Sequence, residues 1–280
     1  MQTIILKVLG ETAQVTLLVL FMMIAVDAIN VWTRGKIAKL LKQGHQWRQY
    51  CITSLIGTVP GCVGGFTNVS LYTHGMISFG ALVGSMAAAS GDEAFVMLSL
   101  FPKTALILFL LLFASGIIVA WVTDTMVKVV HIRTSEDCHD AVVHKDEHGL
   151  QHYITEHIWH HIIRRHLWKI ALWTFGALMI VEVGMQHWHV DALSPRYTLG
   201  LLFAGALVGL IPESGPHLVF VTMYANGLIP FSVLFTSSFV QDGHSMLPML
   251  SYSVKDSLLI KMFNIFFGLS IGLLLFAFGF

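Results

Sequence analysis

Charge is what this chain has least of. Only 11% of its 280 residues are Asp, Glu, Lys or Arg, 55% are hydrophobic, and the mean hydropathy is +0.73. A soluble domain carries about 25% charged residues, so the composition is that of an integral membrane protein. Sixteen basic residues are offset by sixteen acidic ones, which removes the basic surplus expected of a nucleic-acid partner. Cysteine is scarce as well. Cys51, Cys62 and Cys138 stand too far apart for a disulfide framework or a zinc ribbon. The start of the chain lacks the short apolar run and small-residue cleavage site of a signal peptide, whereas the run at 12–32 is long enough to remain in a bilayer.

Catalytic signatures are missing too. There is no H-E-x-x-H, and His152-Tyr-Ile-Thr-Glu156-His157 is one residue too long for H-x-x-E-H. No G-x-S-x-G and no Walker motif occurs. An enzyme is therefore not expected, and no cofactor is called for; a metal ion would enter as substrate.

What the chain does have is a gapless repeat. Residues 57–106 align with 209–258 at a constant offset of 152, and fifteen of the 50 positions are identical. Gly57/Gly209, Pro60/Pro212, Tyr72/Tyr224, Gly75/Gly227, Phe79/Phe231, Gly91/Gly243, Ser99/Ser251 and Lys103/Lys255 are among the identities. A duplicated apolar unit interrupted by Gly and Pro at corresponding places points to a transporter whose site lies between the halves.

The apolar stretches of the first half lie at about 12–32, around the break at Gly57–Gly65, and at 69–90, 94–101 and 104–122. Those of the second lie at about 167–188, 198–211, 217–240, 245–253 and 257–279. The pieces at 94–101 and 245–253 are too short to cross about 30 Å as helices and read as half-helices or re-entrant segments. The expected fold is an all-α polytopic membrane protein of two inverted repeats, each of about five transmembrane or half-membrane segments with broken helices. Residues 1–122 form the first repeat, 123–166 a linker and 167–280 the second repeat. An odd segment number inverts the second half, and the charge distribution agrees. The 34–48 loop and the 123–166 linker hold ten of the sixteen basic residues, which places both in the cytoplasm and both chain ends in the periplasm.

Charge inside hydrocarbon costs about 2.5–3.5 kcal/mol per residue, so each instance asks for a reason. Asp27 and Glu182 each follow a Val late in the first span of their half. They read either as helix-end residues facing water or as proton-coupling groups. The denser constellation lies in the repeat. Gly57, Pro60, Gly61 and Cys62 face Gly209, Pro212, Glu213, Gly215 and His217, while Asp92 and Glu93 face Asp242 and His244. Gly and Pro release backbone groups from the helix, and the neighbouring side chains can then aim into a central cavity. Carboxylates with imidazoles suit a divalent cation, oxygen favouring manganese or magnesium and nitrogen favouring zinc, cobalt or nickel. The bland alternative is that the breaks only let helices kink and pack closely. Lys103 and Lys255 read as snorkelling anchors.

Histidine is the compositional anomaly. Nine of the fifteen fall in 131–166, a tract whose composition reads as metal binding. His157 and His161 are i, i+4 neighbours with His160 beside them, a spacing that can hold one ion.

Long motifs carry a family resemblance: G-T-V-P-G-C-V-G-G (57–65), L-Y-T-H-G-M-I-S-F-G-A-L-V (71–83), G-D-E-A-F-V-M-L-S-L-F-P-K-T (91–104), G-L-I-P-E-S-G-P-H-L-V-F-V-T (209–222) and I-P-F-S-V-L-F-T-S-S-F-V-Q-D-G-H (229–244). With them the chain resembles a bacterial family of ten-transmembrane heavy-metal exporters, whose members carry the names of arsenic efflux or manganese transport proteins. The resemblance covers nearly the whole chain, including E-H-x-x-H-H at 156–161; Val63 is a departure from a tighter glycine cluster. It implies export of a metal from the bacterial cytoplasm across the inner membrane. It also implies that Pro60, Gly61, Cys62, Asp92, Glu93, Glu213, His217, Asp242 and His244 are motif positions. Three functions follow as expectations: proton-coupled export of a divalent metal, export of an anionic or arsenic-containing solute, and a membrane metal sensor or chaperone acting through 131–166. The partners expected are the metal ion, the bilayer and a possible second copy of the chain.

Overall fold

A computed structural model describes residues 5–14, 46–61, 63–91, 93–132, 198–213 and 216–280, with isolated positions at 16–24, 134 and 168–179. Among the described residues there is helix and turn and no strand. The first half supplies α1 (Gln46–Gly57), α2 (Val63–Thr73), α3 (Phe79–Ala87), α4 (Glu93–Leu100) and α5 (Pro102–Val130). The second supplies α6 (Thr198–Val208), α7 (His217–Ala225), α8 (Phe231–Val240), α9 (Met246–Tyr252) and α10 (Val254–Ala277), with a 3-10 turn at Gly243–Ser245 before α9. The starts of α1, α3 and α5 recur at α6, α8 and α10 at the offset of 152 found in the sequence.

Among the described residues two helices, α5 and α10, are long and apolar enough to cross a membrane, with mean hydropathies of 2.8 and 2.1. Their exposed faces separate a bilayer span from a buried core helix. On α5, Ala105, Leu108, Leu112, Gly116, Val119 and Ala120 face inward at helical spacing, while Leu106, Ile107, Leu110 and Ile118 are 56–66% exposed. An aqueous surface helix would carry charge on that outer face; here it is as apolar as the inner one. Pro102 opens α5 in the first turn, where its missing N–H costs nothing and its fixed φ suits the helix.

The apolar stretches at 69–90 and 217–240 read as single segments in the sequence, and each is two short helices. The physical reason is a glycine C-cap followed by an N-cap. In the first half the Met76 N–H donates to the Leu71 carbonyl at 2.8 Å and the Gly75 N–H to that of Tyr72 at 2.8 Å. In the second, Leu228 donates to Met223 and Gly227 to Tyr224, both at 2.9 Å. This paired 6→1 and 5→2 pattern needs a residue at positive φ, and Gly75 and Gly227 supply φ of 63° and 69°. Ser78 then caps α3 by accepting from the Ala81 N–H, with Pro230 at the equivalent place before α8.

Every residue of α3 is buried, as is every residue of α8 after Phe231. These two short helices form the centre, flanked by α1 and α5 in one half and by α6 and α10 in the other. Close approach is possible because side chains are missing where backbones meet. A Cβ on Gly116 would lie 2.9 Å from the Ala88 Cβ, and one on the equivalent Gly268 would lie 2.5 Å from Val240 Cγ2. Across the halves the packing is reciprocal: α4 lies against α7, and α9 against α2. Phe101 meets Tyr224 edge-on at 5.0 Å and Tyr72 meets Tyr252 at 6.3 Å. The Tyr72 hydroxyl also donates to the buried Asp256 carboxylate at 2.8 Å, tying α2 to α10.

Candidate functional site

Four chain breaks converge between the central helices. In the first half they are the turn Thr58–Gly61 after α1 and the turn Ala88–Gly91 after α3, joined by the Gly61 N–H donating to the Gly91 carbonyl at 3.0 Å. In the second half one break follows α6 at Gly209 and ends at Pro216, and the other is Gln241–Asp242 after α8. Gly91 sits at φ 58°, and there a Cβ would lie 3.0 Å from Glu93 Oε2, 3.3 Å from Gln241 Nε2 and 3.4 Å from Gln241 Oε1. The second break of one half therefore touches the second break of the other, with a carboxylate and an amide at the contact.

Glu93 is the first residue of α4 and 1% exposed. At that end the free backbone N–H groups and the helix dipole favour a carboxylate. Gln241 is equally buried, and neither amide atom finds a hydrogen-bond partner among the described residues. His217 opens α7, is buried, and its Nδ1 lies 3.2 Å from Ser237 Oγ on α8 while Nε2 has no partner among the described residues. An unpaired buried polar group costs roughly 2–7 kcal/mol in an apolar setting, so these orphaned atoms argue for a polar ligand.

Asp242 is 3% exposed and carries an ion pair to Lys261 on α10, Oδ2 to Nζ at 2.5 Å. Asn264 Nδ2 donates to Asp242 Oδ1 at 2.7 Å, and Lys261 Nζ also donates to the Gly209 carbonyl at 2.8 Å. One ammonium thus spans both breaks of the second half. Ser245 Oγ closes the turn by donating to the Asp242 carbonyl.

The remaining expected positions divide in two. Glu213 and His244 are described and half-buried. Glu213 and His217 are four residues apart in sequence but do not share a helix, because Glu213 lies in the turn after α6 and the helix begins only after Pro216. Gly57 ends α1, Pro60 and Gly61 form its turn, and Gly209 and Pro212 form the turn after α6. Cys62, Asp92, Gly215, Asp27, Glu182, His157, His160 and His161 lie outside the described residues. Among the described residues no three His, Cys, Asp or Glu side chains gather closely enough to hold one metal ion. Lys103 and Lys255 are exposed in the first turns of α5 and α10.

Sequence reasoning passed over Lys261, Asn264 and Gln241 as site residues. The signal for Lys261 was present: a lone cation inside L-L-I-K-M-F-N-I-F-F is the same kind of intramembrane charge as Asp27 and Glu182. Asp124 was passed over too, and its role is structural. It accepts from the Tyr50 hydroxyl at 2.7 Å, the Ser78 hydroxyl at 2.6 Å and the Gly80 N–H at 2.7 Å, pinning α1 and the start of α3 to α5.

The sequence model of the family described as "Putative, 10TM heavy-metal exporter" matches residues 2–193 and 156–279, nearly the whole chain. The chain belongs to that family. It is accordingly a multi-pass membrane protein of an exporter family, which is not an enzyme class. No curated protein and no solved structure matches the chain.

Proposed function

We propose that the chain exports a divalent metal cation in exchange for protons, binding it where the two second breaks meet. The observation that carries this reading is that the buried side chains of Glu93 and Gln241 both abut Gly91, with oxygen donors from both halves against one cramped turn. In this reading His217 joins them, and the support for that is the repeat. Gly65 of α2 faces Ser245 of the other half, where a Cβ would lie 2.5 Å from the Ser245 Cβ. The offset of 152 carries Gly65 onto His217 and Ser245 onto Glu93, and α7 lies against α4, so the reading draws on the imidazole from the same crossing as the carboxylate. Oxygen donors with one nitrogen suit a first-row divalent ion. A full coordination shell would draw on water or on residues beyond the described ones.

An anionic substrate fits less well. Anions are held by open helix N-termini, and α4 begins with its own carboxylate. Asp242 and Lys261 neutralise each other, so the pair offers no net positive charge.

In this reading the halves are inverted repeats that rock about the site, with carboxylate protonation exchanging against metal. Residues 1–122 and 167–280 are the two moving units, and the basic loop and the histidine-rich linker at 123–166 lie on the cytoplasmic side of the bacterial inner membrane. The linker gathers metal before transport. The deciding experiment is flux in proteoliposomes, screening manganese, zinc, cobalt, nickel and arsenite with and without a pH gradient. Proton-dependent movement of one divalent metal, reduced at least about tenfold in Glu93→Gln, is expected. Movement of arsenite alone, undiminished in that variant, would sink the cation reading.

A further inference from the structure

Lys261 belongs to no expected motif, yet it is the most constrained cation among the described residues. It stands seven residues into α10, about 10 Å along a helix that rises 1.5 Å per residue. A lysine near a helix end normally snorkels toward water. This one is 8% exposed, and its ammonium turns inward to the Asp242 carboxylate and the Gly209 carbonyl.

The repeat shows that the fold does not require the pair. The position equivalent to Lys261 is Phe109 on α5, and that equivalent to Asp242 is Ser90. The first half makes the same crossing, α5 against α3, with a buried phenylalanine there and no charge at either place. Replacing a buried ion pair by apolar groups is often neutral or stabilising, so a duplicated unit had an uncharged solution at hand. The pair sits in one half only, next to Gln241, whose side chain abuts Gly91 together with that of Glu93.

We propose that Lys261 is a tethered counter-cation of the transport site. It occupies the Asp242 carboxylate until the substrate cation arrives, and is displaced by it. Displacement also breaks its bond to the Gly209 carbonyl, which frees α10 from the break after α6. Loading the site and loosening the second half thereby become one event, and the affinity for substrate is set by competition with the ammonium. This inference rests on the cation-export reading above.

The test uses the purified full chain in detergent, with manganese, zinc and cobalt chlorides added singly. Binding is read by calorimetry, and reaction of Lys261 with a small acylating reagent is read by mass spectrometry. In the unaltered protein, saturating metal is expected to raise acylation of Lys261 several-fold. Lys261→Met and Lys261→Gln are expected to bind the same metal at least about tenfold more tightly, because the competing charge is gone. The glutamine retains a donor for the Gly209 carbonyl, and the acylation measurement needs no variant to fold. Metal binding with unchanged Lys261 acylation, or with folded variants that bind no more tightly, would overturn this proposal and leave the export reading standing. Absence of binding in the unaltered protein and in both variants would overturn the two together.

Discussion

Asp242→Asn should be among the most damaging single changes at the site, for a reason unrelated to transport. Asn264 would still find a carbonyl oxygen, but Lys261 would remain as a buried ammonium with only the Gly209 carbonyl. Breaking one side of a buried pair costs about 3–5 kcal/mol. We expect a clearly lowered melting temperature in detergent, largely recovered in Asp242→Asn/Lys261→Met, where both charges are gone. A double variant no more stable than the single one would show that the pair does not hold the second half together. At this scale the sequence was informative about which residue types matter and uninformative about their partners. Glu93, His217 and Asp242 stood out because Gly and Pro flank them in duplicate. Lys261 did not, although the rule that isolates Asp27 isolates it equally. Its partner lies nineteen residues upstream in the break after α8, and no spacing pattern announces such a pair. Gln241 was hidden for another reason: an amide carries no charge, and its importance comes from complete burial, which only packing reveals.

Among the helices, tolerance should follow where backbones touch. Gly116 and Gly268 occupy equivalent crossings with no room for a Cβ, while nothing lies within 4 Å of a Cβ at Gly227. Leucine at Gly116 or Gly268 should cost well above the roughly 1–3 kcal/mol of ordinary overpacking and abolish folded protein on size-exclusion chromatography. Gly227→Ala meets only the strain of a φ near 69°, about 1–2 kcal/mol, and should give a modest drop in melting temperature. Equal damage at Gly116 and Gly227 would refute this account of the crossings. Hydropathy made the long helices legible, since α5 and α10 coincide with the two cleanest apolar runs. It could not divide 69–90 or 217–240, because a Gly-capped turn buried in protein is as apolar as the helices beside it. The glycines were visible as duplicated breaks; the local hydrogen bonds that turn them into caps were not.

Across the whole molecule, the duplication was legible from identity at constant spacing, and the membrane from the scarcity of charge. The reciprocal packing of α4 on α7 and of α9 on α2 was not, since it joins segments more than a hundred residues apart. Under the export reading, deleting 138–152 should leave proteoliposome flux within about twofold of the full chain, because function resides in the site and the linker only supplies it. Loss of flux with the transmembrane halves intact would instead make the linker part of the conduit. The reciprocal packing also bears on ancestry. If each half packs a short helix against the other, neither is a finished object alone, and a free-standing half would have needed a second copy of itself. Two identical copies must place the same residue at both sites, lysine twice or phenylalanine twice. One polypeptide carries no such restriction: Phe109 and Lys261 stand at equivalent places, so that one side can specialise in chemistry and the other in support.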